Sequence, residues 1–283
     1  MIDQKFSTVA GVDPPLPGPR TSLILPRVSS APGLINRFVE WFGDLGIFFW
    51  RVVCAAVTPP FEFRELFRQL DEIGSMSLPL VALAGAATGV VLSMEARYSL
   101  TRFGAKSLLP AAIVFSVIHE TGPIITGLVV SGRVGAGIGA ELASMKVTEQ
   151  IDAIETSAVS PYRLLAAPRI LACILVLPLL TLAADASGLL MGWVAQALVE
   201  PLSLHQFINA GFKGAAFNDF LPPTFKTMAF GLIIGVIACF QGMRTRGGAA
   251  GVGRAATSSV VLSSLFVILA DVVLVKLIII FFP

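Results

Sequence analysis

Apolar residues run along this chain in five long blocks separated by short, more polar connections. The blocks cover residues 74–94, 108–132, 171–198, 224–242 and 258–282. Each is close to the ~20 residues that an α-helix needs to cross a bilayer. Ionisable residues inside them are few: His119, Glu120, Asp185, Lys226, Asp271 and Lys276. The pattern predicts five membrane-spanning helices, which places the two termini on opposite sides.

The stretch before these blocks follows a different rule. Residues 34–57 are apolar but carry Arg37, Glu40, Asp44 and Arg51 at intervals, with Trp41, Phe48, Phe49 and Trp50 between them. Charges beside aromatic rings suit a helix lying in the headgroup layer rather than crossing it. After Pro59-Pro60, residues 62–72 place Phe63, Leu66, Phe67 and Leu70 on one helical face. Residues 34–72 are therefore expected to be interfacial amphipathic helices. Ahead of them, Pro14, Pro15, Pro17, Pro19, Pro26 and Pro32 interrupt residues 1–33, which read as a disordered cytoplasmic tail. That tail lacks the basic start and apolar run of a secretory signal, and Asp3 and Asp13 are unusual for a transit peptide.

Orientation follows from the arginines and lysines of the connections. Residues 133–170 carry Arg133, Lys146, Arg163 and Arg169, and residues 243–257 carry Arg244, Arg246 and Arg254. Both connections should face the cytoplasm, with the N-terminus inside and the C-terminus outside. Arg97, Arg102 and Lys106 run against this assignment, while the 199–223 connection has only Lys213 against Glu200 and Asp219.

Composition excludes other classes. Hydrophobic residues make up 55% of the 283 positions and charged ones 13%, and mean hydropathy is +0.83. A soluble fold has nowhere to hide that much apolar surface. A net charge of +2 gives no electrostatic support for binding nucleic acid. Cys54, Cys173 and Cys239 lie far apart among apolar neighbours, and are expected to be small buried hydrophobes rather than disulfide partners or metal ligands. Gly127, Ser131, Gly135 and Gly139 recur every four residues, a spacing that lets two helix backbones approach closely. Gly85/Gly89/Ser93, Gly188/Gly192 and Gly231/Gly235 repeat it.

Candidate chemistry is sparse. His119-Glu120 does not belong to an H-E-x-x-H zinc motif, G-x-S-x-G is absent, Gly104-Ala105-Lys106-Ser107 lacks the leading glycine of a phosphate loop, and the 135–139 glycines have the wrong spacing for a dinucleotide fingerprint. The chain is expected to carry no catalytic residues, no metal and no cofactor of its own. Within the 133–170 connection, residues 141–158 read as one helix that Pro161 stops. Val147, Ile151, Ile154 and Ala158 fall on one side, and Glu141, Glu149, Asp152 and Glu155 on the opposite arc. Its acidic face is either solvated or presented to a cytoplasmic partner. Asp185 and Asp271 lie midway along their blocks, where a lone charge costs at least ~2.5–3.5 kcal/mol on insertion scales. They are either functional groups or hydrogen bonds between helices. Lys226 and Lys276, nearer the block ends, are expected to reach for the headgroups. His119-Glu120 precedes Gly122-Pro123, which predicts a break in that helix and makes Glu120 the leading residue of a cavity.

Several runs together resemble a known family: His119-Glu120-Thr121-Gly122-Pro123, Ser131-Gly132-Arg133-Val134-Gly135, Ala140-Glu141-Leu142, and the eight residues from Met145 to Asp152. The likeness continues through Ala158-Val159-Ser160-Pro161, Pro168-Arg169, the seven residues from Gly251 to Thr257, and Val260-Val261-Leu262-Ser263-Ser264. In order along roughly residues 60–283, they are similar to the MlaE (YrbE) permeases, membrane subunits of MCE-type lipid ABC transporters. The resemblance implies an all-α polytopic membrane protein with five transmembrane helices, a homodimer, and a coupling helix between spans two and three. It implies a cytosolic ABC ATPase that binds ATP and Mg, a periplasmic MCE-domain protein and, in some systems, a STAS-domain protein. The cargo would be phospholipid, moved between the inner and outer membranes of a bacterium, and relatives also occur in plastids and mycobacteria. On this analogy Glu141, Lys146, Thr148, Glu149, Gln150, Ile151, Asp152 and Glu155 would contact the ATPase. His119, Glu120, Asp185 and Asp271 would line the lipid cavity. The family often has arginine where this chain has His119, and the 1–33 extension is longer than expected. A stand-alone proton-coupled transporter using Glu120, Asp185 and Asp271, an intramembrane enzyme and a structural scaffold are the rival readings.

Overall fold

The computed structural model describes residues 34–57, 62–213 and 221–281. The tail at 1–33, Pro59-Pro60, Asp219 and Phe282 lie outside them. The chain divides into two compact units between Phe42 and Gly43. Helix α1 (Leu34–Val57) begins in the first, where the Trp41 and Phe42 rings meet edge to face at 5.1 Å, and continues into the second. The second unit holds α2 (Phe63–Arg102), α3 (Lys106–Val147), α4 (Gln150–Thr156), α5 (Tyr162–Ala197), α6 (Leu204–Gly211), α7 (Leu221–Met243) and α8 (Gly248–Phe281). No strand occurs among the described residues. Helices α2, α3, α5, α7 and α8 are long and apolar enough to cross a membrane, one for each apolar block.

Each spanning helix begins before its apolar block, and α2, α3 and α7 also run past its end. Hydropathy marks where side chains would meet hydrocarbon, whereas the backbone ladder continues through the polar turns beyond. At 1.5 Å per residue the 40 residues of α2 reach about 60 Å, twice the ~30 Å apolar slab. The amphipathic stretch at 62–72 is thus the opening of α2, not a separate surface helix. Most of the 133–170 connection is helical too: Arg133 belongs to α3, and Arg163 and Arg169 to α5.

Close backbone approach holds the bundle together. α2 lies along α5, α7 packs on α5 and α8, and α8 on α3. The buried positions of α2 are Gln69, Ile73, Ser77, Val81, Gly85, Gly89 and Ser93, one every four residues. Those of α8 are Gly251, Ala255, Ser259, Ser263, Val267 and Asp271, at the same interval. A methyl group on Gly89 would overlap the Gly188 carbonyl, and one on Gly231 the Cys173 carbonyl. In α3, Gly127 faces Val267 and Phe230, and Gly135 faces Ile234 and Ser263. Gly139 lies against Ser259, and Ser131 Oγ is 2.7 Å from Ser264 Oγ. Cys173 and Cys239 are buried among these contacts, but Cys54 is exposed, because it lies on α1 rather than within the bundle.

At the end remote from α4, the segment whose charges run against the orientation rule has a partner. Arg97 Nη2 and Lys106 Nζ lie 2.8 and 3.1 Å from Glu200 Oε1, tying α2 and α3 to the connection after α5. Beside it, α6 is fastened by a capping box between Ser203 and Gln206, and Phe207 inserts among Leu109, Ile113, Val114, Val117 and Ile118. The hydrogen bond from Lys106, with the charges of Lys106 and Arg97, holds the Glu200 carboxyl below its ordinary value of 4.5. Ionised Glu200 therefore steadies this end at neutral pH, and its contribution is lost as pH falls through that lowered value. Amide exchange across residues 199–203, corrected for intrinsic pH dependence, should be slow at neutral pH and accelerate below the usual glutamate range. In Glu200→Gln it should be fast throughout.

Candidate functional site

Pro123 creates a local problem in α3. A proline has no N–H, so the carbonyl four residues earlier, His119 O, loses its helical donor and is crowded by the ring. The helix widens into a π-turn over Val117–Thr121, closed by a hydrogen bond from Gly122 N to Val117 O. The backbone does not break here, contrary to the expectation from Gly122-Pro123. The freed carbonyl finds a substitute donor on another helix: Lys226 Nζ of α7 donates to His119 O at 3.0 Å.

The same ammonium collects two carboxylates. It lies 2.9 Å from Asp271 Oδ1 on α8 and donates to Glu120 Oε2 on α3 at 3.1 Å. The Lys226 side chain is 1% exposed and Asp271 4%, whereas Glu120 is half exposed. Lys226 therefore does not reach for the headgroups. An ammonium this deep is tolerable only when paired and hydrogen-bonded, and α3 supplies two acceptors and α8 one. The His119 ring stacks on Phe115, with centroids 4.0 Å apart.

Beside this cluster opens a groove of about 380 Å³ between the start of α7 and the end of α8. Its walls are Leu221, Pro222, Phe225, Leu274, Leu277, Ile278 and Phe281, and Lys226 is its sole ionisable lining residue. An apolar channel with a charged cluster beside it suits an amphiphile: the walls take hydrocarbon and the cluster offers both signs of charge. Asp185 is not one of these walls; it lies on α5 against Gly122, where a Cβ would overlap Asp185 Oδ1. That oxygen is buried with no hydrogen-bond partner among the described residues.

A second set of predicted residues gathers around α4. The single helix expected over 141–158 is in fact two. α3 ends at Val147, Thr148 Oγ1 donates back to Ser144 O, and Glu149 turns the chain with φ of 60°. α4 then runs for seven residues before Ala158 makes a second left-handed turn, φ 59°. Such a conformation costs a non-glycine residue roughly 1–2 kcal/mol, so tertiary contacts override the helical preference twice. Ile151 is buried, while Thr148, Glu149, Gln150, Asp152 and Glu155 are exposed. Lys146 bridges the bend to Asp152. Glu141 sits apart on α3, paired at 2.7 Å with Arg169. Arg169 is 1% exposed and also donates to Leu165 O in the π-turn that opens α5. Among the described residues no group of three or more His, Cys, Asp or Glu side chains could share a metal ion.

Comparison with known proteins identifies the arrangement. The profile of a family described as Permease MlaE matches residues 66–277. The chain belongs to the MlaE permease family. It is 34% identical to a probable ABC transporter permease protein of Rickettsia typhi over 241 residues, 85% of this chain and 93% of that protein. A probable ABC transporter permease protein of Synechocystis is 31% identical over 74% of this chain and 79% of its own length. The Arabidopsis thaliana protein TRIGALACTOSYLDIACYLGLYCEROL 1, chloroplastic, is 31% identical over 79% of this chain and 64% of its own length. This MlaE permease is thus a membrane-embedded ABC transporter permease subunit, and membership does not favour the stand-alone proton-coupled reading.

Hydropathy alone missed the two buried cations of this MlaE permease. Lys226 shares a four-residue row with Phe230, Ile234 and Ala238, all buried, a register that points inward. Arg169 follows Pro168 at the apolar start of α5, one turn before buried Cys173. Removing one partner of a buried ion pair costs about 3–5 kcal/mol. Lys226→Met should therefore lower the thermal midpoint in detergent sharply. Lys226→Met with Asp271→Leu should recover much of the loss, and a double variant no more stable than the single one would show that the pair is not coupled.

Proposed function

We propose that this chain is the transmembrane subunit of an ATP-driven transporter that moves phospholipid between the inner and outer membranes of a bacterium. Two copies form the permease, a separate cytosolic ATPase binds ATP and Mg, and a periplasmic MCE-domain protein exchanges lipid with the permease; a STAS-domain protein completes some assemblies. The N-terminus lies in the cytoplasm and the C-terminus in the periplasm. The observation carrying this reading is the apolar groove beside the Glu120–Lys226–Asp271 cluster. It offers hydrocarbon a wall and a zwitterionic or anionic headgroup a cation. The glycerolipid in the name of the Arabidopsis relative supports the cargo class.

Coupling runs through α4. Its exposed residues Glu149, Gln150, Asp152 and Glu155 form the surface on which the ATPase rests, and buried Ile151 anchors them to the bundle. ATP binding in the partner displaces α4, and the displacement reaches the groove through α3 and α5, which flank it in the chain. His119, stacked on Phe115, puts an imidazole where the family often has arginine, so a headgroup would meet a different donor at this position.

Two measurements in proteoliposomes holding the assembled complex test this reading. Reversing charge at both Glu149 and Asp152 should leave the spans folded and the ATPase active while lipid transfer falls to background; normal transfer would remove α4 from coupling. Glu120→Lys, which sets two ammonium groups face to face, should abolish transfer while the complex still assembles, and full activity would remove the cluster from the lipid path.

A further inference from the structure

A second cavity lies at the opposite end of α7, about 26 Å along the helix from Lys226 at 1.5 Å per residue. It has a volume of about 430 Å³ and is lined by Lys146, Met243, Arg244, Thr245 and Arg246. Among the described residues every ionisable lining residue is a cation, and no carboxylate lines it. The sequence around it has the same bias: from Gly242 to Ala270 there are three arginines and no acidic residue. Lys146 and Arg244 each have a nearby carboxylate, Asp152 and Asp44, but Arg246 makes no ion pair among the described residues. With the adjoining cavity that shares Lys146 and Arg244 included, Arg51, Lys146, Arg244 and Arg246 stand against Asp44, Asp152 and Glu155 and leave the region positive.

The wall is built rather than draped. Arg244 is 2.7 Å from Asp44 on α1, and its guanidinium lies over the Phe240 ring at 4.8 Å. Thr245 N donates to Gly242 O, and Thr245 Oγ1 to Gln241 O. Gly251, in the first turns of α8, has no room for a Cβ because the Arg246 carbonyl occupies that space. The backbone carrying Arg246 is thus pressed onto α8.

Depth in the membrane selects the ligand. The cavity sits where apolar α7 ends and α8 begins, and the end of an apolar spanning helix is where hydrocarbon is expected to give way to headgroups. Phe48 of α1 meets Phe240 there, with centroids 5.6 Å apart, and α1 leaves Ile47, Trp50 and Val53 exposed, apolar surface suited to the same layer. Basic pockets at the ends of spanning helices hold anionic headgroups. We propose that Lys146, Arg244 and Arg246 form a binding site for the phosphate of an anionic phospholipid, separate from the groove at Lys226 and independent of the transport reading.

The test uses the full chain alone, without an ATPase, in nanodiscs of phosphatidylcholine titrated with phosphatidylglycerol, with retained lipid counted by native mass spectrometry. The native chain should retain phosphatidylglycerol selectively, with an apparent affinity that falls as salt rises. Arg246→Gln and Arg244→Gln should each weaken it about fivefold, while Arg246→Lys should keep most of it. Thermal unfolding in pure phosphatidylcholine shows that Arg246→Gln is folded. Equal retention of both lipids, or of phosphatidylglycerol by Arg246→Gln and the native chain, would overturn the proposal. So would complete displacement by inorganic phosphate, which would make this a free-anion site. Selectivity appearing only after an ATPase subunit is added would assign the cations to a protein partner instead.

Discussion

In a bilayer nothing is gained by bringing two apolar faces together, because lipid tails are as apolar as leucine. This constraint orders the bundle. Its helices hold by approaching until backbone touches backbone, and such approach needs positions without side chains. Gly85 and Gly89 on α2 meet Ala184 and Gly188 on α5, and Gly231 and Gly235 on α7 meet Cys173 and Ile170 on that same α5. α5 is therefore gripped on two sides by glycine rows, which is why it and α7 are the most enclosed spans while α2 and α8 turn most of their surface outward.

That tight frame permits a charge inside it. Lys226 neither escapes nor floats: Asp271 of α8, and Glu120 and a backbone carbonyl of α3, are brought to it by two helices whose spacing from α7 the small residues set. Filling Gly127 of α3, which faces Phe230 of α7 and Val267 of α8, would disturb the ion pair as well, because the helices bearing its partners would be held apart. The apolar groove lies beside the cluster, walled by large side chains from the start of α7 and the end of α8.

Much of this was legible in residue order. Five apolar blocks became five spanning helices, and the four-residue rows of small side chains lie where helices meet. What stayed hidden was tertiary. The break expected at Gly122-Pro123 does not occur, because a donor 103 residues further along replaces the missing N–H, and periodicity carries no information about such a partner. The helix read over 141–158 divides because Glu149 and Ala158 adopt left-handed conformations, which nothing in their residue types announces. Lys226 looked like a snorkelling lysine from its position along the block. Only its register with Phe230 and Ile234 says otherwise.

The bond from Lys226 to the His119 carbonyl makes one helix complete the hydrogen bonding of another. A motion that parted α7 from α3 would do more than slide two surfaces: it would leave a main-chain acceptor bare beside a proline, at the point where α3 is already widened. In mechanical terms the two helices are pinned there, and a gate that swings elsewhere, with α3 and α7 moving as a single bar, leaves that pin intact.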